Sequence, residues 1–357
     1  MNLHEKELHY PWGDALPEPG KALSVAPGVL WLRMQLPFAL DHINLWLLKD
    51  RVDGVEGWCV VDCCLDNPTA RAQWQSVFDS VLMGLPILRV IVTHLHPDHL
   101  GLAHWLCARW KVPLYISATD YHTARTLIHT PEEEAGKQAQ AFFRAQGMHD
   151  ESVLQALTTR HFQFGHMVPA IPSQFVRLID GLTLSIGDHD WHCISGQGHA
   201  PEHIALHCPS LGVLISGDMV LPRISSNISV FDTEPLADPL RLFLLSLNQF
   251  SDIPADCLVL PSHGKPFKGL HTRIAQLKAH HMARLEELRE AMGEAGMNAV
   301  DAMALLFNRQ LDPHQTTFAL GEALAHLHYL WYAGEWQRQK DENGVFSFAP
   351  IEAVVHP

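Results

Sequence analysis

The chain has no apolar run close to the roughly 18 residues that a bilayer-spanning helix needs; the strongest, LFLLSL at 242–247, is far too short. A helical membrane span is not expected. Its seven cysteines, at 59, 63, 64, 107, 193, 208 and 257, contain no CxxC pair. An odd number, mostly within apolar runs, argues against a disulfide framework and for reduced, buried thiols. Positive charge is also scarce, with 25 Lys and Arg against 39 Asp and Glu and a formal net charge of −14. That balance weighs against a phosphate-rich partner or an anionic membrane surface, both of which are bound through clustered basic residues. The opening MNLHEKELHYPWGD shows no basic stretch followed by an apolar one, so the expected location is the cytoplasm. No internal repeat or low-complexity segment is visible.

What is present is a large globular protein. At 357 residues, 47% hydrophobic and 18% charged, the chain is expected to form one large domain and a smaller one around a sizeable core. Short β-rich runs (VLWLRMQL, INLWLLKD, WCVVDCC, ILRVIVTH) alternate with the helical segments NPTARAQWQSVFDSVLMG and DHLGLAHWLCARW over about 28–120. In the second of these, Leu100, Ala103, Leu106 and Trp110 keep helical spacing. Residues 121–175 read as a helical insertion, with Thr130 expected to cap a helix that has Pro131 in its first turn. Phe142, Phe143, Phe162, Phe164 and Met167 there would either wall a pocket or pack the insertion. Strands resume with LTLSIGD, WHCISG, IALHC, GVLISGD and LVLPSHG, and the texture beyond Gly269 is helical. The chain closes on extended runs around Asn343-Gly344, which read as a hairpin. The expected division is 1–270 and 271–357.

The chemistry is concentrated at Thr93–Gly101, THLHPDHLG, directly after the apolar run PILRVIV. His94, His96, Asp98 and His99 crowd the end of a buried strand, where a packed core gains nothing from them. Histidines at i and i+2 project to one side of an extended chain, and the following turn lets Asp98 and His99 approach a neighbouring point. Imidazole and carboxylate donors suit zinc, iron or manganese, and a catalytic site needs several of them with a coordination position left open. Further donors stand at matching places: His199 in SGQGHAPEH, Asp218 in LISGDMV and His263 in LPSHG, each beside a glycine that lets the backbone turn sharply. By contrast His280, His281, His326 and His328 lie on helical stretches and read as packing residues, and His161 and His166 read as surface positions.

With VDCC (61–64), HLHPDH (94–99), GQGHAPEH (196–203), SGD (216–218) and SHG (262–264) in this order, the sequence resembles the metallo-β-lactamase superfamily over roughly residues 25–270. The resemblance implies an α/β fold: an αββα sandwich with a helical insertion and a small C-terminal helical, winged-helix-like domain. It implies two divalent metal ions, zinc before iron or manganese, with His94, His96 and His199 holding one, Asp98, His99 and His263 the other, and Asp218 bridging. Asp98 would also orient the metal-bound hydroxide, His203 would contact substrate, and Asp62 would fix a ligating imidazole. The family more often shows Thr-Gly after that aspartate, where this chain has Cys63-Cys64.

Histidine at 96, where the diiron flavoproteins of the superfamily usually carry glutamate, argues against that branch. What the resemblance implies is a hydrolase in which metal-bound hydroxide attacks a thioester or ester carbonyl of a small molecule, similar to glyoxalase II. The alternatives are a lactonase, or an endoribonuclease of the LACTB-like type, whose helical tail this chain's tail resembles. Over 271–357 seven Lys and Arg face eleven Asp and Glu, a poor match to a nucleic acid. The aromatic run HLHYLWYAGEW reads better as a packing surface or as the interface of a homodimer.

Overall fold

The computed structural model describes residues 3–291 and 296–351; the side chains of 156–163, and with them His161 and Phe162, lie outside the described residues. Contacts divide the chain into two compact units, each discontinuous in sequence. The first comprises the chain up to His129, Phe164–Ser226 and Ser246–Ala275. The second comprises Thr130–Gln163, Asn227–Leu245 and the chain from Gln276 onward.

The first unit holds two sheets. The larger contains, in spatial order, β1 (Ala22–Ala26), β2 (Val29–Gln35), β3 (His42–Val52), β4 (Val55–Val61), β5 (Ile87–Ile91), β6 (Leu114–Ser117) and β7 (Phe175–Leu178). Pairing is antiparallel as far as β4 and parallel from β4 to β7. The smaller contains β8 (Thr183–Ile186), β9 (His189–Gly196), β10 (His203–Cys208), β11 (Val213–Gly217) and β12 (Leu258–Pro261), with only β11 and β12 parallel.

Alternation along the strands makes two cores from one sheet. Trp31, Trp46, Val61 and Ile91 cluster with Trp191, Ile204, Leu206 and Ile215 of the smaller sheet. Their neighbours Leu32, Leu45, Leu47, Val60 and Val90 instead cluster with Trp74, Val77 and Leu106 of α1 (Pro68–Ser80) and α3 (Ala103–Trp110). A sheet buried on both faces needs the near-continuous apolar runs that the sequence shows. The αββα sandwich expected from the sequence is the architecture found.

Local signals set the helix boundaries. Asn67 caps α1, accepting a hydrogen bond from Ala70 N, with Pro68 in the first turn, a cap worth about 1 kcal/mol. The expected helix after His96 is broken into α2 (Pro97–Leu100) and α3. The break falls at Gly101, where a Cβ would stand 2.7 Å from Asp66 N, Cys64 O and Pro97 O. α4 (Ala118–His129) follows β6. α5 (Glu132–Ala145) starts one residue later than the sequence suggests, with Pro131 at the cap position and no side-chain cap bond. α6 (Glu151–Met167) brings Phe164 and Met167 onto the core beneath α1 and α3.

In the second unit lie α5, most of α7 (Pro239–Ser246) and α8 (Leu270–Ala291), then α9 (Ala299–Leu306) and α10 (Pro313–Tyr332). α9 starts with a capping box between Asn298 and Asp301, and α10 with Asp312 before Pro313. The hairpin expected at Asn343-Gly344 is present: β13 (Trp336–Lys340) pairs with β14 (Phe346–Pro350) and Gly344 has φ of +83°. Among the described residues, no helix is long and apolar enough to cross a membrane.

Candidate metal centre

All seven residues that the sequence singles out as metal ligands meet within the first unit, at the ends of strands from both sheets. His94, His96, His199 and Asp218 present donor atoms within 4.8 Å of one another, and Asp98, His99 and His263 form a second such group. Asp218 reaches both: one oxygen, Oδ2, is 3.2 Å from His199 Nε2, and Oδ1 is 3.6 Å from both His99 Nε2 and His263 Nε2. Asp98 Oδ2 lies 3.3 Å from His263 Nε2. His94 and His99 are fully buried, whereas His96 and Asp98 are only partly covered, which leaves one side of the cluster open.

Each group is aimed by its surroundings. His99 Nδ1 donates to Asp62 Oδ2 at 2.8 Å, which leaves Nε2 facing the cluster. Asp62 also accepts from Thr93 N at 2.8 Å and from the Thr93 hydroxyl. Thus the aspartate of VDCC fixes the imidazole of His99, a candidate ligand. The two cysteines after it act through their backbone: Cys63 N donates to His99 O, and Leu102 N donates to Cys64 O. This close lay requires left-handed backbone at Asp62 (φ +65°) and Cys64 (φ +69°). Burial pushes both thiols up, Cys64 to about 12, so they remain neutral.

His263 is held by β3. Its Nδ1 donates to His42 O at 2.7 Å, while Gly264 N donates to His42 Nε2 at 2.8 Å. Arg33 and Asn44 donate to Gly264 O. His203 departs from its expected contact with substrate. It is fully buried, and its Nε2 accepts from Asp218 N at 3.1 Å. Gly217, at φ +54°, makes room for that ring: a Cβ there would stand 2.1 Å from His203 Nε2. His203 therefore supports Asp218. Ser226 also donates to Asp218 O, and Arg273 donates to Leu221 O and Ile224 O in the loop that follows.

Electrostatics separate the two groups. Burial, then His99 and His96, hold His94 well below its ordinary value, and burial with His199 presses His96 to about 3. These imidazoles are neutral, the form that binds a metal. At the second group, burial alone would lower His99, but Asp62, Asp98 and Asp218 outweigh it and raise it to about 9. Buried carboxylates there call for a positive charge. His99 Nε2 and Asp218 Oδ1 are buried without a hydrogen-bond partner, a costly condition that a cation would relieve. Imidazoles and carboxylates with one open side fit zinc, iron or manganese.

Thr93, through Asp62, and His42, through His263, contribute to this centre without being singled out as site residues in the sequence; for Thr93 the only hint is its place before His94. His281, His326 and His328 are buried in helices, and His166 is exposed; among the described residues, none of these joins a metal-ligand group.

Comparison with known proteins shows the family. The family model "Metallo-beta-lactamase superfamily" matches residues 40–290, and "Metallo-beta-lactamase-like, C-terminal domain" matches 285–351. The chain is similar to a "Probable metallo-hydrolase YqjP" of Bacillus subtilis, 26% identical over 292 residues, covering 78% of this chain and 85% of the relative. A beta-lactamase domain protein from Burkholderia ambifaria superposes with a TM-score of 0.92 at 50% identity, covering 98% of this chain and all of the other. A metallo-beta-lactamase family protein from Thermus thermophilus gives 0.75 at 26% identity, over 92% and 100%.

Proposed function

We infer, since the chain belongs to the metallo-β-lactamase superfamily, that it is a hydrolase using two divalent metal ions, zinc first, on a thioester or ester of a small molecule. The observation that carries this reading is the pair of donor groups joined through Asp218. His94, His96, His199 and Asp218 would hold one cation, and Asp98, His99 and His263 the other. Bound there, the metals make water a nucleophile near neutral pH and polarise a carbonyl oxygen.

The chain's own residues set up that chemistry. Asp62 and the backbone of His42 hold His99 and His263 with Nε2 forward. His203 holds Asp218 by its backbone. Asp98, partly exposed on the open side, would orient water beside the substrate carbonyl, and cations held by these residues would supply the positive charge that offsets negative charge developing on the carbonyl oxygen. A thiol or an alcohol leaves, and a carboxylic acid is the other product.

The wider reading includes a cytoplasmic protein, supported by seven free, buried cysteines. It includes a catalytic part, 1–270, followed by a winged-helix-like part, 271–357; that a separate family model for a C-terminal domain matches 285–351 supports a distinct C-terminal part. A homodimer through the latter part belongs to the same proposal; a solution mass near 40.0 kDa would remove it.

The test is thiol release from a panel of glutathione and acyl-CoA thioesters by zinc-loaded protein. Release is expected, and it should vanish both in Asp98→Ala and in chelated protein. Release that persists in Asp98→Ala would sink the mechanism. No release from protein carrying two zinc ions would move the substrate class to lactones, then to single-stranded RNA.

A further inference from the structure

We propose that Asp120 is a positioning residue that locks together the three imidazoles of one metal position; the proposal rests on the dinuclear reading above. Asp120 lies in the first turn of α4 and is fully buried. Its two carboxylate oxygens serve two different loops. Oδ2 accepts from Leu95 N at 2.7 Å, and Oδ1 accepts from Glu202 N at 2.7 Å.

Leu95 separates His94 from His96, and Glu202 lies between His199 and His203. A single carboxylate thus ties the loop after β5, in the larger sheet, to the loop before β10, in the smaller. These loops supply every imidazole of the group formed by His94, His96, His199 and Asp218. The other group depends on different supports, Asp62 for His99 and His42 for His263. Amides donating to a buried carboxylate make short, strong hydrogen bonds, so Asp120 fixes the spacing between His199 and the His94–His96 pair.

Joining the two sheets does not depend on Asp120 alone. Ile204 N donates to Thr93 O at 2.8 Å nearby. Removing one acceptor oxygen should therefore loosen the ligands while the sheets stay together. Groups that orient metal ligands from behind are typically worth 10–100-fold in metal affinity.

The experiment titrates metal-free protein with Zn2+ against a chromophoric chelator and reads the two binding equivalents separately. In wild type, two tight equivalents are expected. In Asp120→Asn, one should keep its affinity and the other should weaken about 10–100-fold. Thr119→Val, which removes the surface bond from Thr119 Oγ1 to Glu202 Oε2, should bind like wild type. Two unchanged equivalents in Asp120→Asn overturn the proposal, and so does equal weakening of both, the mark of general loosening. Wild type binding fewer than two equivalents overturns the dinuclear reading itself. Should Asp120→Asn give no folded protein, Asp120→Ser, which keeps one acceptor in a smaller volume, gives the same readout.

Discussion

At the scale of the residue, several candidate ligands in the centre are held by a group behind them: His99 by Asp62, His263 by His42 and Asp218 by His203. Asp62 accepts from Thr93 N, the Thr93 hydroxyl and His99 Nδ1 while holding φ at +65°. Asn tolerates that backbone conformation but cannot accept on both sides. Asp62→Asn should weaken one zinc equivalent about 10–100-fold, and that equivalent should be the one Asp120→Asn spares. The doubly substituted protein, measured by the same chelator competition, should then lose both, and a double variant no weaker than either single one would contradict separate supports. Such residues are hard to see in the sequence. Ligands announce themselves because His, Asp and Gly at the ends of apolar strands have no packing reason to be there. Asp120 and His42 act on backbone amides brought in from elsewhere in the chain, and nothing beside them in sequence marks that.

At the scale of the element, the helices of the second unit bury titratable groups that, among the described residues, join no metal-ligand group. Burial pushes His281 to about 2 and His326 and His328 to about 4. Unfolded histidine titrates near 6.5, so the unfolded chain takes up protons first as pH falls. Their stabilising contribution is complete above about 6.5 and is lost as pH drops toward 4. Glu322, raised to about 7 by burial, works the other way, since its contribution is present below about 4.5 and is lost as pH rises toward 7. Three histidines outweigh one glutamate, and the melting temperature should fall from pH 7 to pH 4.5. Calorimetry should show a shallower fall in His326→Gln and a steeper one in Glu322→Gln; identical profiles would deny these groups their role. Elements themselves are largely legible, because apolar runs and capping residues are local. Where the boundaries differ from those the sequence suggests, at Gly101 and at Pro131, a close approach of distant backbone or a missing cap bond decides them.

At the scale of the whole molecule, the proposed metal site would link metal binding to folding. Ligands from β5, β10, β11 and β12 and the loops beside them meet at one cluster, so ions that bind the folded chain alone must stabilise it by mass action. Zinc at about 1,000 times its dissociation constant contributes about 4 kcal/mol per site. Chelation should therefore lower the melting temperature along with activity, and zinc should restore both. An unchanged melting temperature would mean that the ions never occupied the site. The αββα architecture can be read from five ordered motifs. The grouping of Thr130–Gln163 and Asn227–Leu245 with the C-terminal helices cannot, because association between segments so far apart leaves no local pattern.

That grouping sets a timetable for synthesis. Residues 130–163 leave the ribosome more than a hundred residues before Gln276, and at ordinary translation speeds they wait on the order of 10 s for the C-terminal part of their unit. During that interval α5, whose Ala135, Ala139 and Phe143 end buried, has α6 beside it, to which Gln140 Nε2 donates at Leu154 O, while the C-terminal part of its unit is still to come.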